Sequence, residues 1–303
     1  MKSKNKQCIV FIANGLALPG LRAAVSSCVE QLAADALDLT IFIYYQGVAQ
    51  KSLLSLVRRI HAVYPQQRFE LRHADVSEYK GLLPLHGDLM TYFKLSLAEK
   101  LPEFDRIIYF DSDMLILGSI RELCAMELGR APFAAVGGSI TYALECEFFA
   151  ELGYSEPDLG INAGMLVLNA GLWRSEGLKE VCKEFGKRHC AACRSADQTI
   201  LTGLFARQFV QVSPEFNECW GPWGQKPSDA RIVHFVGSPK PWDIGGRWLH
   251  SAYGVWRSYA KQGGHAGLPF WCRYGASMLL RTWHIRRSLA RAALRKIRRI
   301  GKG

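Results

Sequence analysis

Apolar and polar residues are arranged along the first half of the chain in blocks that predict strands and helices in alternation. Short continuous apolar runs are typical of buried strands, whereas apolar residues three or four positions apart are typical of helices packed on a sheet. The runs that predict strands cover residues 8–13, 39–45, 68–73, 106–110, 133–136 and 163–168. The helical spacing covers residues 21–36, 53–64 and 91–101.

This order predicts an α/β domain with a largely parallel sheet. In such folds, ligands bind at the carboxyl ends of the strands. The loop after the first strand reads ANGLALPG and lacks the G-x-G-x-x-G fingerprint, and no G-x-x-x-x-G-K-[ST] segment occurs. Dinucleotide-binding and P-loop functions therefore lose their usual support.

One predicted strand is followed by two acidic residues. The segment RIIYFDSDMLILGSI places Asp111 and Asp113 on either side of Ser112. A strand that ends near Phe110 brings Asp111 to the carboxyl edge, and the i, i+2 spacing can direct both carboxylates to one side. Two carboxylates held this close repel each other unless a cation lies between them. Mn²⁺ or Mg²⁺ would meet this need and leave coordination positions for substrate phosphates. The alternative, a solvated turn, is disfavoured because the apolar segment MLIL follows at once.

Charge is distributed unevenly along the chain. The net charge is +11, yet the last acidic residue is Asp243, and residues 251–303 carry 12 Lys and Arg with no acid. Residues 1–250 therefore contain 26 basic and 27 acidic residues. The body is close to neutral and the tail is basic.

The nine cysteines follow no disulfide-framework spacing, which indicates reduced thiols and a cytosolic compartment. The segment His189-Cys190-Ala191-Ala192-Cys193 contains a C-x-x-C, but free thiols are favoured over zinc because a second ligand pair is missing. The first apolar run ends at Ala13, too early for a signal peptide, and no run reaches the roughly 18 residues of a membrane span.

Four sequence blocks carry a resemblance to a known family. They are FDSDMLI, GINAGMLVLN at residues 160–169, ADQTILTGLF at residues 196–205 and HFVGSPKPW at residues 234–242. In this order and spacing, the chain resembles the family 8 glycosyltransferases over roughly residues 8–250. These are retaining enzymes of the GT-A fold, and they include glycogenin and bacterial lipooligosaccharide galactosyltransferases. The resemblance implies transfer of a hexose, glucose or galactose, from a UDP-sugar to a glycan.

The resemblance implies a metal site. Asp111 and Asp113, together with His234, would bind Mn²⁺, with Mg²⁺ as the alternative, and the ion would bridge the diphosphate of the UDP-sugar. Ser112 lies in the same donor-binding segment. Taken alone, His234 would be interpreted as a structural histidine. The GSPKPW segment that follows it favours the role of a metal ligand instead.

The same last block is expected to bind phosphate. By resemblance, Gly237 permits close approach of the backbone, and Lys240 contacts the diphosphate as a point charge. Trp242 is more typical of packing than of chemistry.

The resemblance places Asn162, Asp197 and Gln198 around the transferred sugar. Asn and Gln bind hydroxyl groups without providing a strong nucleophile. We therefore expect same-face transfer, in which the UDP phosphate assists the acceptor hydroxyl and configuration is retained. For Asp197, a helix N-cap is the alternative.

The sequence departs from the family pattern in two places. After the first strand, the loop offers Ala13 and Asn14 for the nucleotide, so Asn14 can contact uracil or ribose but the stacking aromatic is missing. Lys94 stands where relatives commonly have Arg, which keeps the charge and loses the bidentate fork. In a Gly-, Pro- and Trp-rich loop beyond Ser213, Trp220 and Trp223 either stack on sugars or pack in the interior.

The basic tail predicts an amphipathic helix. Its apolar positions are Leu289, Ala293, Ile297 and Ile300, and its basic positions are Arg291, Arg295, Arg298, Arg299 and Lys302. Such a helix can lie on an anionic membrane surface, with Trp283 at the interface. Docking on the body is the alternative, and no nucleic acid partner is expected because no recognition motif accompanies the charges.

Together, these features predict a catalytic nucleotide-sugar-binding domain over residues 1–250 and a membrane-associating tail over residues 251–303. The favoured function is a metal-dependent hexosyltransferase, cytoplasmic and peripheral on the cytosolic face of the membrane. Its acceptor would be lipopolysaccharide core or another lipid-linked saccharide. The competing function is a noncatalytic protein that binds nucleotide sugars or membranes on a similar fold.

Overall fold

The computed structural model describes residues 6–85, 87–138, 143–155, 160–264 and 271–300, with side chains of the last segment given for 279–296. The strands are β1 Gln7–Ala13, β2 Ile41–Tyr45, β3 Phe69–His73, β4 Arg106–Asp111, β5 Met114–Ile116, β6 Phe133–Val136, β7 Asn162–Asn169, β8 Val210–Gln211, β9 Glu218–Cys219 and β10 Ile232–His234. The helices are α1 Leu18–Ala34, α2 Gln50–His61, α3 Leu97–Lys100, α4 Arg121–Ala125, α5 Cys146–Glu151, α6 Ala170–Ser175, α7 Leu178–Arg188, α8 Asp197–Phe205, α9 Gly246–Leu249, α10 Tyr253–Gln262 and α11 Trp271–Ile300.

Seven strands form the central sheet in the order β3-β2-β1-β4-β7-β6-β8. The strands β3, β2, β1 and β4 are parallel, and β7 runs antiparallel to both of its neighbours. The predicted α/β class with a mainly parallel sheet is confirmed, and each of the six predicted strands exists within two residues of its expected bounds.

The helix predicted over residues 91–101 is only partly confirmed. A 3-10 helix spans Met90–Ser96, and the α-helix α3 follows it. Most side chains of the 3-10 helix are buried, so it has no polar face to give the usual helical period. Tertiary packing, rather than local preference, determines the backbone here.

The sheet is buried on both faces, which explains the continuous apolar runs. In β1, Val10 and Ile12 point into one core cluster, whereas Ile9 and Phe11 point into the other. Successive side chains of a strand alternate between faces, so a strand covered on both sides has no polar positions.

A second sheet of three strands, in the order β5-β10-β9, adjoins the carboxyl end of β4. Only Ser112 and Asp113 separate β4 from β5, and His234 in β10 pairs with Met114 in β5. This arrangement brings His234 next to the acidic pair. Helix α1 approaches the same turn so closely that a Cβ on Gly20 would lie 2.5 Å from the carbonyl oxygen of Ser112.

The tail helix α11 packs on the body. Ala292 is buried, Leu289 approaches Gly245, and Lys296 donates a hydrogen bond to the carbonyl of Trp248. The side that carries Leu289 and Ala293 is therefore docked, as in the alternative given above. The side chains of Ile297, Arg298, Arg299 and Ile300, and the whole of Lys302, lie outside the described residues.

The opposite side of α11 carries exposed apolar residues instead. Leu279, Leu280, Trp283 and Leu294 are each more than half exposed, and Arg286 lies over the Trp283 ring. In the part of the chain that the structure describes, no helix combines the length and apolar content needed to cross a bilayer.

A buried histidine predicts acid sensitivity of the fold. His250 is 3% exposed, its Nδ1 accepts a hydrogen bond from the Ala252 N–H, and its ring contacts Phe235. Burial, assisted by the nearby Lys240 charge, lowers the pKa of His250 from 6.5 to about 3. Because the unfolded chain takes up the proton first, the contribution of His250 to stability is complete above pH 6.5 and is lost as the pH falls toward 3.

We expect His250 to account for about 2 kcal/mol of the stability lost between pH 6.5 and pH 5, at ~1.4 kcal/mol per pH unit. Urea unfolding at the two pH values measures this loss. In His250→Gln, the loss of stability between pH 6.5 and pH 5 should be smaller by this amount. In His73→Gln, which changes an exposed histidine, the loss should equal that of the wild type. Equal pH dependence of the wild type and His250→Gln would contradict this account.

Candidate active site

Asp111, Asp113 and His234 form one cluster at the junction of the two sheets. Their potential ligand atoms all lie within 4.8 Å of one another. His234 Nε2 is 3.2 Å from Asp113 Oδ1 and 4.0 Å from Asp111 Oδ2. Among the described residues, this is the one group of three or more such side chains with metal-binding geometry, and Cys190 and Cys193 do not belong to one.

Asn217 orients the ring of His234. Its Oδ1 lies 3.1 Å from His234 Nδ1, and both side chains are buried. Since an amide oxygen can only accept, Nδ1 donates to Asn217, and Nε2 is the ring atom that faces the carboxylates and can bind a metal ion. Two carboxylates and a neutral imidazole nitrogen form a donor set that fits a first-row divalent ion.

Gly164 provides the space for this ring. A Cβ at Gly164 would lie 2.6 Å from Cε1 and 2.7 Å from Nδ1 of His234. Sequence reasoning missed both supporting residues: Asn217 lies in the Trp-rich loop beyond Ser213, and Gly164 lies inside the matched block of residues 160–169. The only signal for either was proximity to a recognised motif.

Two lysines balance the acidic pair unequally. Lys240 Nζ lies 2.8 Å from Asp113 Oδ2, and Lys94 Nζ lies 3.4 Å from Asp111 Oδ1. Burial opposes ionisation of Asp113, but Lys240 and His234 outweigh it and hold the pKa of Asp113 well below its ordinary value. Burial raises the pKa of Asp111, and the charge of Asp113 adds to this effect despite Lys94. The two acids therefore differ in how readily they ionise.

Lys94 lies beneath the cluster and connects it to Asp197. Its side chain is 2% exposed, with Nζ 2.8 Å from Asp197 Oδ2 and 3.0 Å from the carbonyl oxygen of Ala163. Asp197 also accepts a hydrogen bond from Thr91. Helix α8 begins at Asp197 and has no side-chain cap. The Asp197 carboxylate therefore pairs with Lys94 and does not act as the helix N-cap.

Asn162 begins β7, and the side chain of Gln198, from helix α8, reaches the same end of that strand. Gln198 Oε1 accepts a hydrogen bond of 3.1 Å from the Ala163 N–H, and Asn162 Oδ1 accepts one of 3.1 Å from the Gly164 N–H. Because β7 is antiparallel to β4, its first residues lie beside the carboxyl end of β4. The structure therefore brings these two amides to the same edge as Asp111.

The loop after β1, where the nucleotide is expected to bind, is held by contacts within the protein. Ala13 ends β1, whose Ile12 pairs with Asp111, so the loop adjoins the acidic pair. The side chain of Asn14 binds locally: Oδ1 accepts from the N–H groups of Leu16 and Ala17, and Nδ2 lies 2.5 Å from Asp88 Oδ2. Asp88 brings an acidic group to this loop, and sequence reasoning missed this residue.

The aromatic residues near the site are mainly structural. Trp220 is 2% exposed and donates its indole N–H to Ser251 Oγ at 2.8 Å. Of the two alternatives for Trp220, packing in the interior is therefore correct and stacking on a sugar is wrong. Trp242 packs on Phe235, as expected. Gly237 has a φ of +71°, a conformation that favours glycine, and it begins the loop that carries Lys240.

The fold is that of known glycosyltransferases. The solved structure of the galactosyltransferase LgtC, in complex with donor and acceptor sugar analogues, matches with a TM-score of 0.69 at 20% identity, covering 88% of this chain and 99% of that one. The structure of glycosyltransferase GlyE from Streptococcus pneumoniae TIGR4 matches with a TM-score of 0.64 at 19% identity, covering 89% of this chain and 63% of that one. The architecture is therefore of the GT-A type.

The sequence profile described as Glycosyl transferase family 8 matches residues 8–244, and the chain belongs to this family. GlyE of Streptococcus pneumoniae serotype 4 is 25% identical over 171 residues, which are 52% of this chain and 38% of that protein. The lipopolysaccharide 1,3-galactosyltransferase of Salmonella typhimurium is 27% identical over 179 residues, which are 54% of this chain and 52% of that protein. The aligned part thus spans about half or less of these relatives.

The close approach of Gly164 to His234 generates a prediction about metal affinity. Gly164→Ala should displace the imidazole, because the added Cβ and the ring cannot occupy the same space. We expect Mn²⁺ affinity, measured by calorimetry on the full-length protein, to fall about tenfold or more.

Gly171→Ala is the matched control. Its Cβ would meet only Asn169 Oδ1, at 3.9 Å, so Mn²⁺ affinity should not change. Unaltered affinity in Gly164→Ala, in a protein with a native circular dichroism spectrum, would count against His234 as a ligand.

Proposed function

We propose that this protein is a retaining hexosyltransferase that moves glucose or galactose from a UDP-sugar to a glycan acceptor. The observation that carries the proposal is the cluster of Asp111, Asp113 and His234 with Lys240 beside it, in a chain of glycosyl transferase family 8. Residues 1–250 would form the catalytic domain, and residues 251–303 would serve membrane association.

The donor diphosphate would bind at the junction of the two sheets. Asp111, Asp113 and His234 would hold Mn²⁺ or Mg²⁺, which supplies charge stabilisation to the departing UDP. Lys240 would contact the diphosphate with its ammonium group, and Gly237 would let the backbone approach it. Ala13, Asn14 and Ser112 lie along the same edge, where the nucleoside would bind.

The transfer itself would occur on one face of the sugar. The bond from the anomeric carbon to the phosphate oxygen breaks, the acceptor oxygen bonds to the same face, and its proton passes to the departing diphosphate. Asp197 does not favour a covalent intermediate, because it is ion-paired with Lys94 and buried. Gln198 and Asn162 would hold the sugar through hydroxyl groups.

The acceptor would be lipopolysaccharide core or another lipid-linked saccharide, met at the cytosolic face of a membrane. Exposed Leu279, Leu280, Trp283 and Leu294 on α11 support this location, together with the arginines that flank them. Apolar and aromatic residues bordered by arginines are typical of helices at anionic membrane surfaces.

The catalytic proposal predicts metal-dependent turnover. Mass spectrometry against a panel of UDP-sugars should detect hydrolysis or transfer with Mn²⁺, and Asp113→Asn should reduce the rate at least a hundredfold, because a metal ligand is lost. Asp229→Asn, at an exposed position, should retain the wild-type rate. UDP-sugar binding that is indifferent to Mn²⁺ and gives no turnover would instead support the noncatalytic alternative.

The membrane proposal predicts which side of the tail is responsible. The double variant Leu280→Ser and Trp283→Ser should lower cosedimentation with phosphatidylserine-containing vesicles at least tenfold, because two apolar side chains no longer enter the interface. The control, Leu54→Ser with Val63→Ser, changes apolar residues exposed elsewhere and should sediment like the wild type. Equal loss in both double variants would refute a specific role for α11.

A further inference from the structure

The buried acid Asp243 closes the turn that carries Lys240. Its side chain is 1% exposed, and its Oδ2 accepts a hydrogen bond of 2.7 Å from the backbone N–H of Lys240. In return, the Asp243 N–H donates to the carbonyl oxygen of Lys240 at 3.1 Å. The carboxylate is therefore part of the framework that sets the backbone of Lys240.

Arg281 in the tail helix α11 neutralises this carboxylate. Its Nε lies 2.5 Å from Asp243 Oδ1, and its Nη2 lies 2.8 Å from Asp243 Oδ2. This is a bidentate fork, the geometry in which an arginine fixes both the charge and the plane of a carboxylate. The tail thus reaches the turn through a well-defined ion pair.

The other end of the turn faces the acidic pair. Lys240 Nζ lies 2.8 Å from Asp113 Oδ2, and Lys240 also donates to the carbonyl oxygen of Phe235. Gly246 supports the turn from below, because a Cβ there would lie 2.6 Å from the Lys240 carbonyl oxygen and 2.3 Å from that of Pro241. The turn is therefore held by a few close contacts around Lys240.

Removal of Arg281 would leave a buried carboxylate without a counter-charge. Such a group reorients toward water, because an unpaired buried charge is strongly unfavourable. Reorientation of Asp243 would release the Lys240 N–H, and the ammonium group of Lys240 would then lose its fixed position. A contact made by the tail thereby affects a group in the cluster with Asp113.

We infer that Arg281 is a positioning residue which, through Asp243, holds Lys240 in place to bind the diphosphate of the donor. The inference rests on the proposed function for the identity of the ligand. The link from Arg281 to Lys240 can be measured without any ligand. The tail helix then supports the donor site in addition to any contact with a membrane.

The test uses full-length variants and two measurements. Hydrogen exchange of the segment 237–246 reports on the Lys240 N–H, and calorimetry with UDP and Mn²⁺ reports on donor affinity. Arg281→Ala should accelerate exchange at Lys240 and weaken UDP binding about tenfold, as loss of a supporting contact does at a binding site. Arg281→Lys keeps the charge without the fork and should be intermediate, whereas Arg257→Ala in α10 should match the wild type.

A double-mutant cycle separates positioning from simple docking of the helix. Asp243→Asn keeps an oxygen to accept from the Lys240 N–H and removes the buried charge, so Arg281→Ala in that background should weaken UDP binding less than twofold. A tenfold loss in both backgrounds would overturn the inference, because Arg281 would then act without Asp243. If Arg281→Ala does not fold, Arg281→Lys replaces it in the cycle and is compared in the wild-type and Asp243→Asn backgrounds.

The exchange measurement keeps this inference separate from the proposed function. If the wild type does not bind UDP, the proposed donor is wrong, and the role of Arg281 is judged on exchange alone. Exchange at Lys240 that is unchanged in Arg281→Ala would then overturn it. Faster exchange would support it.

Discussion

The mutual repulsion of two carboxylates at the junction of two sheets is the constraint on which the rest of the site depends. Asp111 ends β4 in the large sheet, and Asp113 directly precedes β5 in the small one, so their repulsion acts on the turn that joins the sheets. The compensating groups come from two distant segments: one provides Lys94, and the other provides both His234 and Lys240. Chain segments far apart in sequence are thus held together by the same charges that define the site.

The sequence was sufficient for the sheet and for the central cluster, for identifiable reasons. A sheet covered on both faces leaves continuous apolar runs, and Asp111 and Asp113 follow such a run directly. The resemblance then supplied His234, which no local pattern could connect to residues more than 120 positions earlier. In the structure, these three side chains lie together.

What the sequence could not reveal were the supporting contacts and the choice between faces. Asn217 matters only because its oxygen meets His234, and Asp88 only because it meets Asn14. Periodicity in the tail identifies two sides of a helix but not which of them the body covers. The docked side proved to be that of Leu289, and the larger apolar side chains, such as Trp283, lie on the exposed side. Trp220 is a further example: tryptophan is a residue type that can stack on sugars, but this side chain is buried in the core.

The backbone before Asp197 shows that the direction of this carboxylate is imposed by the surroundings. Ala196 has a φ of +53° and a ψ of −119°, a sparsely populated region for a residue other than glycine, and it is buried. Such a conformation persists only where neighbouring contacts over-determine it. Here the contacts are the ion pair from Asp197 to Lys94 and the hydrogen bond from Thr91. A carboxylate held in this way is neutralised inside the fold, and the adjacent Gln198 presents an amide instead. In the proposed function, this distribution of groups would favour stabilisation of a charged sugar over nucleophilic attack on it.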